Sequence, residues 1–242
     1  NVPRFEDGKF GKAIMVEEGT TNLLKNASFE VYTGATGVAD GWAGPWATAA
    51  VTITRSVDTT VFCPSGAKSQ KGNITANAGV TSTRNGRYLY ATVASQNYTV
   101  GAGVTLTVSV YGKTSGARLA ASLEIHAKNS TGAYIAFGFA YVHGTIGVTG
   151  WERLSVTFTT PANTASIEVL CIINSDVNNA VGQVWFDDCQ LEAKSYPTSI
   201  IFANDTTTQA TRSPESLTIP TENVLNPAEG AVGCWVYLDG DI

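Results

Sequence analysis

The sequence predicts an all-β sandwich, and three observations lead to this prediction. Apolar and polar residues alternate in short runs along most of the 242 residues, as they do in strands with one buried face. Clusters of Gly, Asn, Pro and Ser separate the runs at short intervals, which favours antiparallel strands over strand–helix–strand units. No stretch shows the periodicity of an amphipathic helix, so we expect strands to account for the regular structure.

Nine runs are predicted to be strands, and one polar segment is predicted to be a linker. The strands are Ala13–Val16, Val51–Arg55, Tyr88–Ala94, Val104–Lys113, Leu119–Lys128, Tyr134–His143, Glu152–Thr159, Ser166–Asn174 and Gln183–Leu191. The segment Asn204–Arg212, with the sequence NDTTTQATR, is polar and rich in hydroxyls, and it is predicted to connect two parts of the chain.

The composition argues against two kinds of partner. Only 14% of the residues are charged, against about 25% in typical soluble domains, and the net charge is −5. No basic run is present that could follow a phosphate backbone, so nucleic acid is not expected as a partner. The longest nearly apolar stretch, Ile135–Val142, is far shorter than the roughly 20 residues that span a bilayer, so membrane insertion is not expected.

The four cysteines leave two interpretations open. They are Cys63, Cys171, Cys189 and Cys234, and no two of them have the CxxC spacing of a thiolate zinc site. Cys171 and Cys189 fall on predicted neighbouring strands and could form a disulfide. The alternative is that they are buried thiols that behave as small apolar residues.

Five phrases, in this order along the chain, resemble the jelly-roll carbohydrate-binding modules of bacterial xylanases, glucanases and mannanases. They are TNLLKNASFE (Thr21–Glu30), ADGW (Ala39–Trp42), VTLTVSVYGK (Val104–Lys113), WERLSVTFTTP (Trp151–Pro161) and VWFDDCQLE (Val184–Glu192). The resemblance implies that residues 20–203 form a β-sandwich jelly roll. It also implies a non-catalytic module whose partner is a polysaccharide or a surface glycan.

A second resemblance concerns the context of the module. The phrases MVEEGTTNLL (Met15–Leu24), QLEAKSYPTSII (Gln190–Ile201) and ATRSPESLTIP (Ala210–Pro220) resemble tail and host-recognition proteins of bacteriophages and surface proteins of Gram-positive bacteria. This resemblance implies an extracellular or virion location, with other virion or surface-protein subunits as further partners.

The two ends of the chain resemble a different domain. DGKFGKAIMVEEG (Asp7–Gly19) and residues Ser216–Asp241 are similar to strands of laminin-G or concanavalin-like jelly rolls. The resemblance implies that residues 1–19 and 204–242 hold a linker and the initial strands of a second, incomplete jelly-roll domain, split by the module. We therefore expect Ala13–Val16 to pair antiparallel with Leu217–Ile219, with Ala231–Tyr237 in or near the same small sheet.

The carbohydrate-binding resemblance also implies a structural calcium ion. Its ligands would be Glu30 of the SFE phrase and an Asp of the DD phrase, Asp187 or Asp188, because calcium takes six to eight oxygen ligands. In a regular strand Asp187 and Asp188 point to opposite faces, so we expect one side-chain ligand and favour Asp187. The alternative is a pair of solvated acids at the end of a strand.

One face of the predicted strands suggests a sugar-binding site. The strand Leu119–Lys128 separates into an apolar face and a polar face that carries Glu124 and His126. On the next strand, Tyr134, Ala136, Gly138 and Ala140 are expected to form a shallow trough beside these side chains, with Ile135, Phe137, Phe139 and Tyr141 facing the core. Sugars stack on aromatic rings, and Trp46 and Tyr90 are expected to add two further platforms. The alternative is a solvated face with scattered aromatic residues.

Catalysis is not expected, because no pair of acids lies in the apolar context that glycosidases use to raise the pKa of an acid. His126 and His143 do not have the spacing of metal ligands, and no GxSxG motif occurs. Three functions remain: a carbohydrate-binding module of a virion or cell-surface protein, a structural spacer without a ligand, or an accessory module of a glycoside hydrolase. The spacer is favoured if protein covers the face around Glu124 and His126.

Overall fold

A computed structural model describes residues 4–8, 11–44, 47–79, 83–116 and 118–216. These residues form sixteen strands: β1 (Arg4–Gly8), β2 (Gly11–Met15), β3 (Thr20–Asn22), β4 (Trp42–Ala43), β5 (Val51–Asp58), β6 (Ser69–Asn77), β7 (Thr83–Arg84), β8 (Arg87–Ser95), β9 (Tyr98–Thr99), β10 (Thr105–Thr114), β11 (Leu119–Lys128), β12 (Tyr134–His143), β13 (Glu152–Thr159), β14 (Ser166–Ser175), β15 (Gly182–Glu192) and β16 (Ala210–Arg212). The described residues contain no helix, in agreement with the predicted all-β class.

Two antiparallel sheets form the main body of the chain. A five-stranded sheet has the order β13-β10-β15-β6-β5, and a seven-stranded sheet has the main path β12-β11-β14-β8-β4, with β7 beside β8 and β9 beside β14. The strands β12 to β15 alternate between the two sheets, which is the connectivity of a jelly-roll sandwich. The predicted β-sandwich jelly roll is therefore confirmed.

The core lies between the two sheets. It is lined by inward-facing aliphatic and aromatic side chains, among them Val108 and Val110 of β10, Leu123 and Ile125 of β11, Val169 of β14 and Phe186 of β15. At Gly112 of β10 the sheets come so close that only a hydrogen atom fits against the Cβ atom of Ala121 on β11. A small residue is thus required at this point of contact.

The chain enters and leaves the sandwich at neighbouring positions. β3 pairs antiparallel with β16, with Thr20 opposite Arg212 and Asn22 opposite Ala210. The side chain of Asn22 is fully buried and donates to the carbonyl oxygen of Cys189 at 2.9 Å. The polar segment expected to be a linker thus ends in a strand, because its last three residues, Ala210–Arg212, pair with β3.

Contacts divide the chain into a larger unit, Gly19–Ser213, and a smaller one that contains the residues on either side of it. In the smaller unit β1 pairs antiparallel with β2, and the N–H of Glu215 donates to the carbonyl oxygen of Glu17 at 2.9 Å. The N–H of Glu17 in turn donates to the carboxylate of Glu215 at 3.0 Å. The predicted partner strand Leu217–Ile219 and the segment Ala231–Tyr237 lie outside the described residues, so that pairing stays a prediction.

No helix in the described part of the chain is long and apolar enough to cross a bilayer.

Candidate functional site

The outward face of the seven-stranded sheet carries a row of polar side chains on β11. Glu124, His126 and Lys128 point away from the core, while the residues between them, Ile125 and Ala127, are fully buried inside it. This alternation agrees with the predicted division of the strand into two faces. The row forms the floor of the site, and the neighbouring strand β12 determines what lies above it.

The register of β12 differs from the regular alternation that the sequence suggested. Ile125 pairs with Ala140, and Ala127 pairs with Ala136. A step of two residues along β11 therefore corresponds to a step of four residues along β12. Gly138, at φ +53°, lies inside this bulge. The bulge turns Phe137 outward, so that this residue is 58% exposed, and it turns Ala140 inward into the core.

The expected trough of small residues beside Glu124 is therefore wrong in its details. Tyr134 lies on the outer face as predicted, opposite Lys128, but Ala136 packs against the core. Phe137 and Tyr141, which were expected in the core, are exposed instead. The face that results is aromatic rather than lined by small residues.

Tyr134 and Phe137 form an aromatic pair at the open side of the sheet, which we call the aromatic platform. Their ring centroids are 4.5 Å apart, with an angle of 30° between the planes. The ring of His126 packs edge-on below both, at 5.6 Å from Tyr134 and 5.1 Å from Phe137. Tyr141, 44% exposed, lies further along β12 opposite Glu124, which lengthens the aromatic surface along the strand.

A network of charged side chains surrounds the platform. Arg84 forms an ion pair with Glu124, and its Nη1 atom lies 3.0 Å from Nε2 of His126. The hydroxyl of Tyr134 donates to Glu168 Oε2 at 2.9 Å. Lys128 Nζ donates to Glu168 Oε1 at 3.3 Å and lies 4.5 Å from the centroid of the Tyr134 ring. Each cation of this network thus has a carboxylate partner.

Burial separates the residues that a ligand could reach from those that it could not. Glu124 is only 2% exposed and His126 only 3%, because Arg84, Phe137 and the backbone at Gly138 lie over them. The buried Nδ1 atom of His126 has no hydrogen-bond partner. In this arrangement a ligand would contact the aromatic platform and Arg84 directly.

Tyr90, one of the two predicted platform residues, does not join this site. Tyr90 is fully buried in the core and its hydroxyl donates to the carbonyl oxygen of Val177, so its ring cannot stack on a ligand. The prediction was wrong because β8 turns Tyr90 inward, which alternation alone could not decide. Trp46 lies outside the described residues, and its role stays a prediction.

The residues that sequence reasoning missed are Arg84, Phe137 and Glu168. Arg84 and Asn85 belong to a tight hairpin between β7 and β8, in which Asn85 and Gly86 have φ values of 51° and 76°. An Asn-Gly pair is a strong hairpin signal, so this turn was open to prediction. Phe137 was not, because its orientation depends on a bulge that the alternating pattern does not reveal.

A second cluster, of three carboxylates, lies around the loop Cys63–Lys68. Asp187 accepts a hydrogen bond from the N–H of Cys63 at 2.7 Å, and Asp188 accepts one from the hydroxyl of Ser65. Glu30 Oε1 accepts from the N–H groups of Ala67 at 2.8 Å and Lys68 at 3.1 Å. The loop Cys63–Lys68 therefore forms hydrogen bonds with all three residues that the calcium prediction named.

The expectation that Asp187 and Asp188 point to opposite faces is wrong. Asp188 has φ +45°, and the pairing of β10 with β15 shifts between Ser109 and Tyr111 at this point. The bulge breaks the alternation, so both carboxylates reach the loop and both are buried, at 0% and 2% exposure. The two acids thus belong to one cluster.

The electrostatics of this carboxylate cluster suit a hard cation. Burial first, and then the charge of Asp188, raise the pKa of Asp187 to about 8. Burial likewise raises the pKa of Asp188, with a further contribution from Glu30, and Asp188 Oδ1 is buried without a hydrogen-bond partner. In the described part of the chain no three acidic, histidine or cysteine side chains already surround one point as metal ligands do. The oxygen donors nonetheless fit calcium better than a softer metal.

Comparison with known proteins gives likenesses of fold at low sequence identity. No protein-family model matches the sequence, and no curated protein matches it. Among solved structures, the CBM22-1 xylan-binding domain of Paenibacillus barcinonensis Xyn10C has a TM-score of 0.46 and 15% identity, over 75% of this chain and 100% of that domain. The C-terminal family 22 carbohydrate-binding module of Clostridium thermocellum Xyn10B has a TM-score of 0.45 and 13% identity, over 73% and 98%.

A bacteriophage protein gives a similar likeness over a small part of its length. The enzymatically active domain of tailspike protein 4 of bacteriophage CBA120 has a TM-score of 0.44 and 15% identity, over 70% of this chain. The chain spans only 21% of that tailspike structure.

Proposed function

We propose that this chain is a non-catalytic carbohydrate-binding module of an extracellular protein on a virion or a cell surface, and that it binds a host or substrate glycan on the outer face of the seven-stranded sheet. The observation that carries the proposal is the aromatic platform. Tyr134 is 43% exposed and Phe137 is 58% exposed, next to a network of charged hydrogen-bonding groups. An apolar ring face beside such groups matches the two surfaces of a sugar, its C–H groups and its hydroxyls.

The charges around the platform favour a neutral glycan. Arg84 is paired with Glu124, and Lys128 with Glu168, so these two cations and two carboxylates cancel. A strongly anionic ligand would have to displace an internal carboxylate from its partner. A neutral sugar only needs to exchange hydrogen bonds with groups that are already ordered.

The affinity for the correct glycan is expected to be weak, with a dissociation constant of about 0.01–1 mM, because the platform is shallow. Replacing Phe137 by Ala should weaken binding by about 0.5–1.5 kcal/mol, or roughly two- to tenfold, and Tyr134→Ala should have a similar effect. A glycan array on the whole chain identifies the ligand, and calorimetric titration of each variant measures the loss.

The matched control is Tyr196→Ala. Tyr196 is 46% exposed, close to the 43% of Tyr134, but the carbonyl oxygen of its neighbour Ser195 accepts a hydrogen bond from Thr157 of the five-stranded sheet. This variant should keep the affinity of the parent chain. An equal loss at Tyr196, or an array without any hit at millimolar concentration, would remove the glycan site from this face.

A second candidate function is a structural spacer without a ligand, and the burial of Glu124 and His126 favours it. Arg84 and Phe137 cover both side chains, and the charged groups of the face satisfy one another. A spacer needs no accessible polar groups on this face. The absence of any glycan ligand in the experiment above would select this function. Detection of a catalytic domain on the same polypeptide would instead select the accessory module of a glycoside hydrolase.

We also propose that calcium binds at the carboxylate cluster as a structural ion. Glu30, Asp187 and Asp188 would supply its side-chain oxygens, and the ion would offset the repulsion that opposes ionising carboxylates buried this close together. Gly66 supports this arrangement, because any Cβ atom there would overlap Glu30 Oε1. When bound, calcium would contribute stability rather than chemistry.

A further inference from the structure

Two cysteines face each other across the core from opposite sheets. Cys171 lies on β14, opposite Leu123 in the seven-stranded sheet, and Cys189 lies on β15 in the five-stranded sheet. Their side chains are 0% and 1% exposed and belong to one hydrophobic cluster. Both are thiols in this structure.

The sheets come close together in this part of the core. Gly112, which pairs with Phe186 of β15, contacts Ala121, which pairs with Ile173 of β14. Cys171 is two residues along the chain from Ile173. The bulge at Asp188 then turns Cys189 inward, so that the two thiols interact. Burial first, and then this interaction with Cys189, raise the pKa of Cys171 well above that of an ordinary thiol.

We propose that Cys171 and Cys189 form a disulfide that joins the two sheets when the chain folds in an oxidising medium. Each thiol gives up a proton and an electron as the S–S bond forms. The electron pair reduces a small disulfide oxidant, such as oxidised glutathione, whose own S–S bond breaks to give two thiols. Because both cysteines are inaccessible once the core has closed, the exchange takes place during folding.

The bond would link the two candidate sites. β14 neighbours β11, which carries the floor of the glycan face, and Cys189 directly follows Asp188 of the carboxylate cluster. A covalent link between Cys171 and Cys189 would restrict the conformations of the unfolded chain and so raise the stability of the folded one. The inference is independent of the glycan proposal, because it depends only on the core.

The experiment uses the whole chain, unfolded in denaturant and refolded in a mixture of oxidised and reduced glutathione. The refolded protein is then unfolded again in denaturant with an excess of alkylating reagent, which blocks every remaining free thiol, and it is digested with trypsin. Both cysteines lie in the single tryptic peptide that ends at Lys194, because no Lys or Arg occurs between Arg153 and Lys194. We expect that peptide to escape alkylation and to be two hydrogen atoms lighter than its reduced form. Cleavage at the Asp residues of this peptide should then leave the fragment with Cys171 joined to the fragment with Cys189, and the two should separate only after reduction.

The matched control is Cys63→Ser. Cys63 is also buried, at 3% exposure, but its surroundings are the carboxylates of Asp187 and Asp188. This variant should keep the linked peptide, whereas Cys171→Ala should lose it. The refolded parent protein should also melt several degrees higher than the same protein after reduction. Full alkylation of Cys171 and Cys189 in the refolded parent, or a link from either to Cys63 or Cys234, would overturn the proposal, and neither result depends on how well a variant folds.

Discussion

Replacing Gly112 by Ala should lower the free energy of unfolding by about 1–3 kcal/mol. The new methyl group would lie on the inner face of β10, far inside van der Waals distance of the Cβ atom of Ala121. Neither atom can rotate away, because each is fixed directly to the backbone of its strand. The two sheets would have to separate locally, at a cost to the contacts of Leu154 and the rest of the core around them.

Gly72→Ala is the matched control for this substitution. A Cβ atom at Gly72 on β6 would also overlap a neighbour, but that neighbour is Cδ1 of Ile173, at the end of a flexible side chain. A change of rotamer relieves the overlap, so the loss of stability should be clearly smaller. Urea unfolding of both variants at one fixed calcium concentration measures the difference. If the two variants lose the same stability, the contact between Gly112 and Ala121 does not limit the approach of the sheets.

Calcium at a hundredfold excess over its dissociation constant should raise the free energy of unfolding by about 2.7 kcal/mol, and a chelator should reverse the effect. An ion that binds only the folded chain stabilises it by mass action, and the unfolded chain does not bring Glu30, Asp187 and Asp188 together. Thermal unfolding with calcium, with chelator and with magnesium provides the measurement. Magnesium should stabilise less, because it requires a smaller and more regular set of ligands.

Two variants connect this effect to the carboxylate cluster. Asp187→Asn should abolish the response to calcium. It should also lower the stability seen in chelator, because the carboxylate accepts hydrogen bonds from the N–H groups of both Cys63 and Asp188, and the amide oxygen can accept only one of them. Asp176→Asn should respond to calcium as the parent does, since Asp176 is 36% exposed and is paired with Arg118. An unchanged melting midpoint with and without chelator, or an equal loss of response in the Asp176 variant, would count against calcium at this cluster.

Alternation predicted the strands that have one apolar and one polar face. Three of the predicted strands, Leu119–Lys128, Tyr134–His143 and Glu152–Thr159, have the bounds of β11, β12 and β13. β6 was missed, because its sequence SQKGNITAN shows no apolar alternation. Gln70 in this strand is fully buried, and its side chain accepts from Ala39 N at 2.9 Å and donates to Gly37 O at 2.9 Å. Local pattern cannot reveal a buried polar side chain whose partners lie elsewhere in the chain.

The candidate sites were harder to predict than the strands, and bulges are the reason. The resemblance to carbohydrate-binding modules pointed to Glu30, Asp187 and Asp188, and these residues surround one loop. Regular alternation then assigned the wrong faces to Asp188 and Phe137, because each lies at an irregularity in its strand. One extra residue in a strand moves every later side chain to the opposite face of the sheet. Errors in assigning faces therefore concentrate at bulges.

The pairing of β3 with β16 has a mechanical consequence whenever the chain is placed under tension. Thr20 and Arg212 are partners in one antiparallel ladder, so the two points at which the chain joins the sandwich are about 5 Å apart. Tension applied to the flanking chain would load this short ladder from one end and open its hydrogen bonds one after another, while the sheets of the sandwich bear little of the force. Drag on a module attached in this way would open the pairing of β3 with β16 first, while the two sheets stay folded.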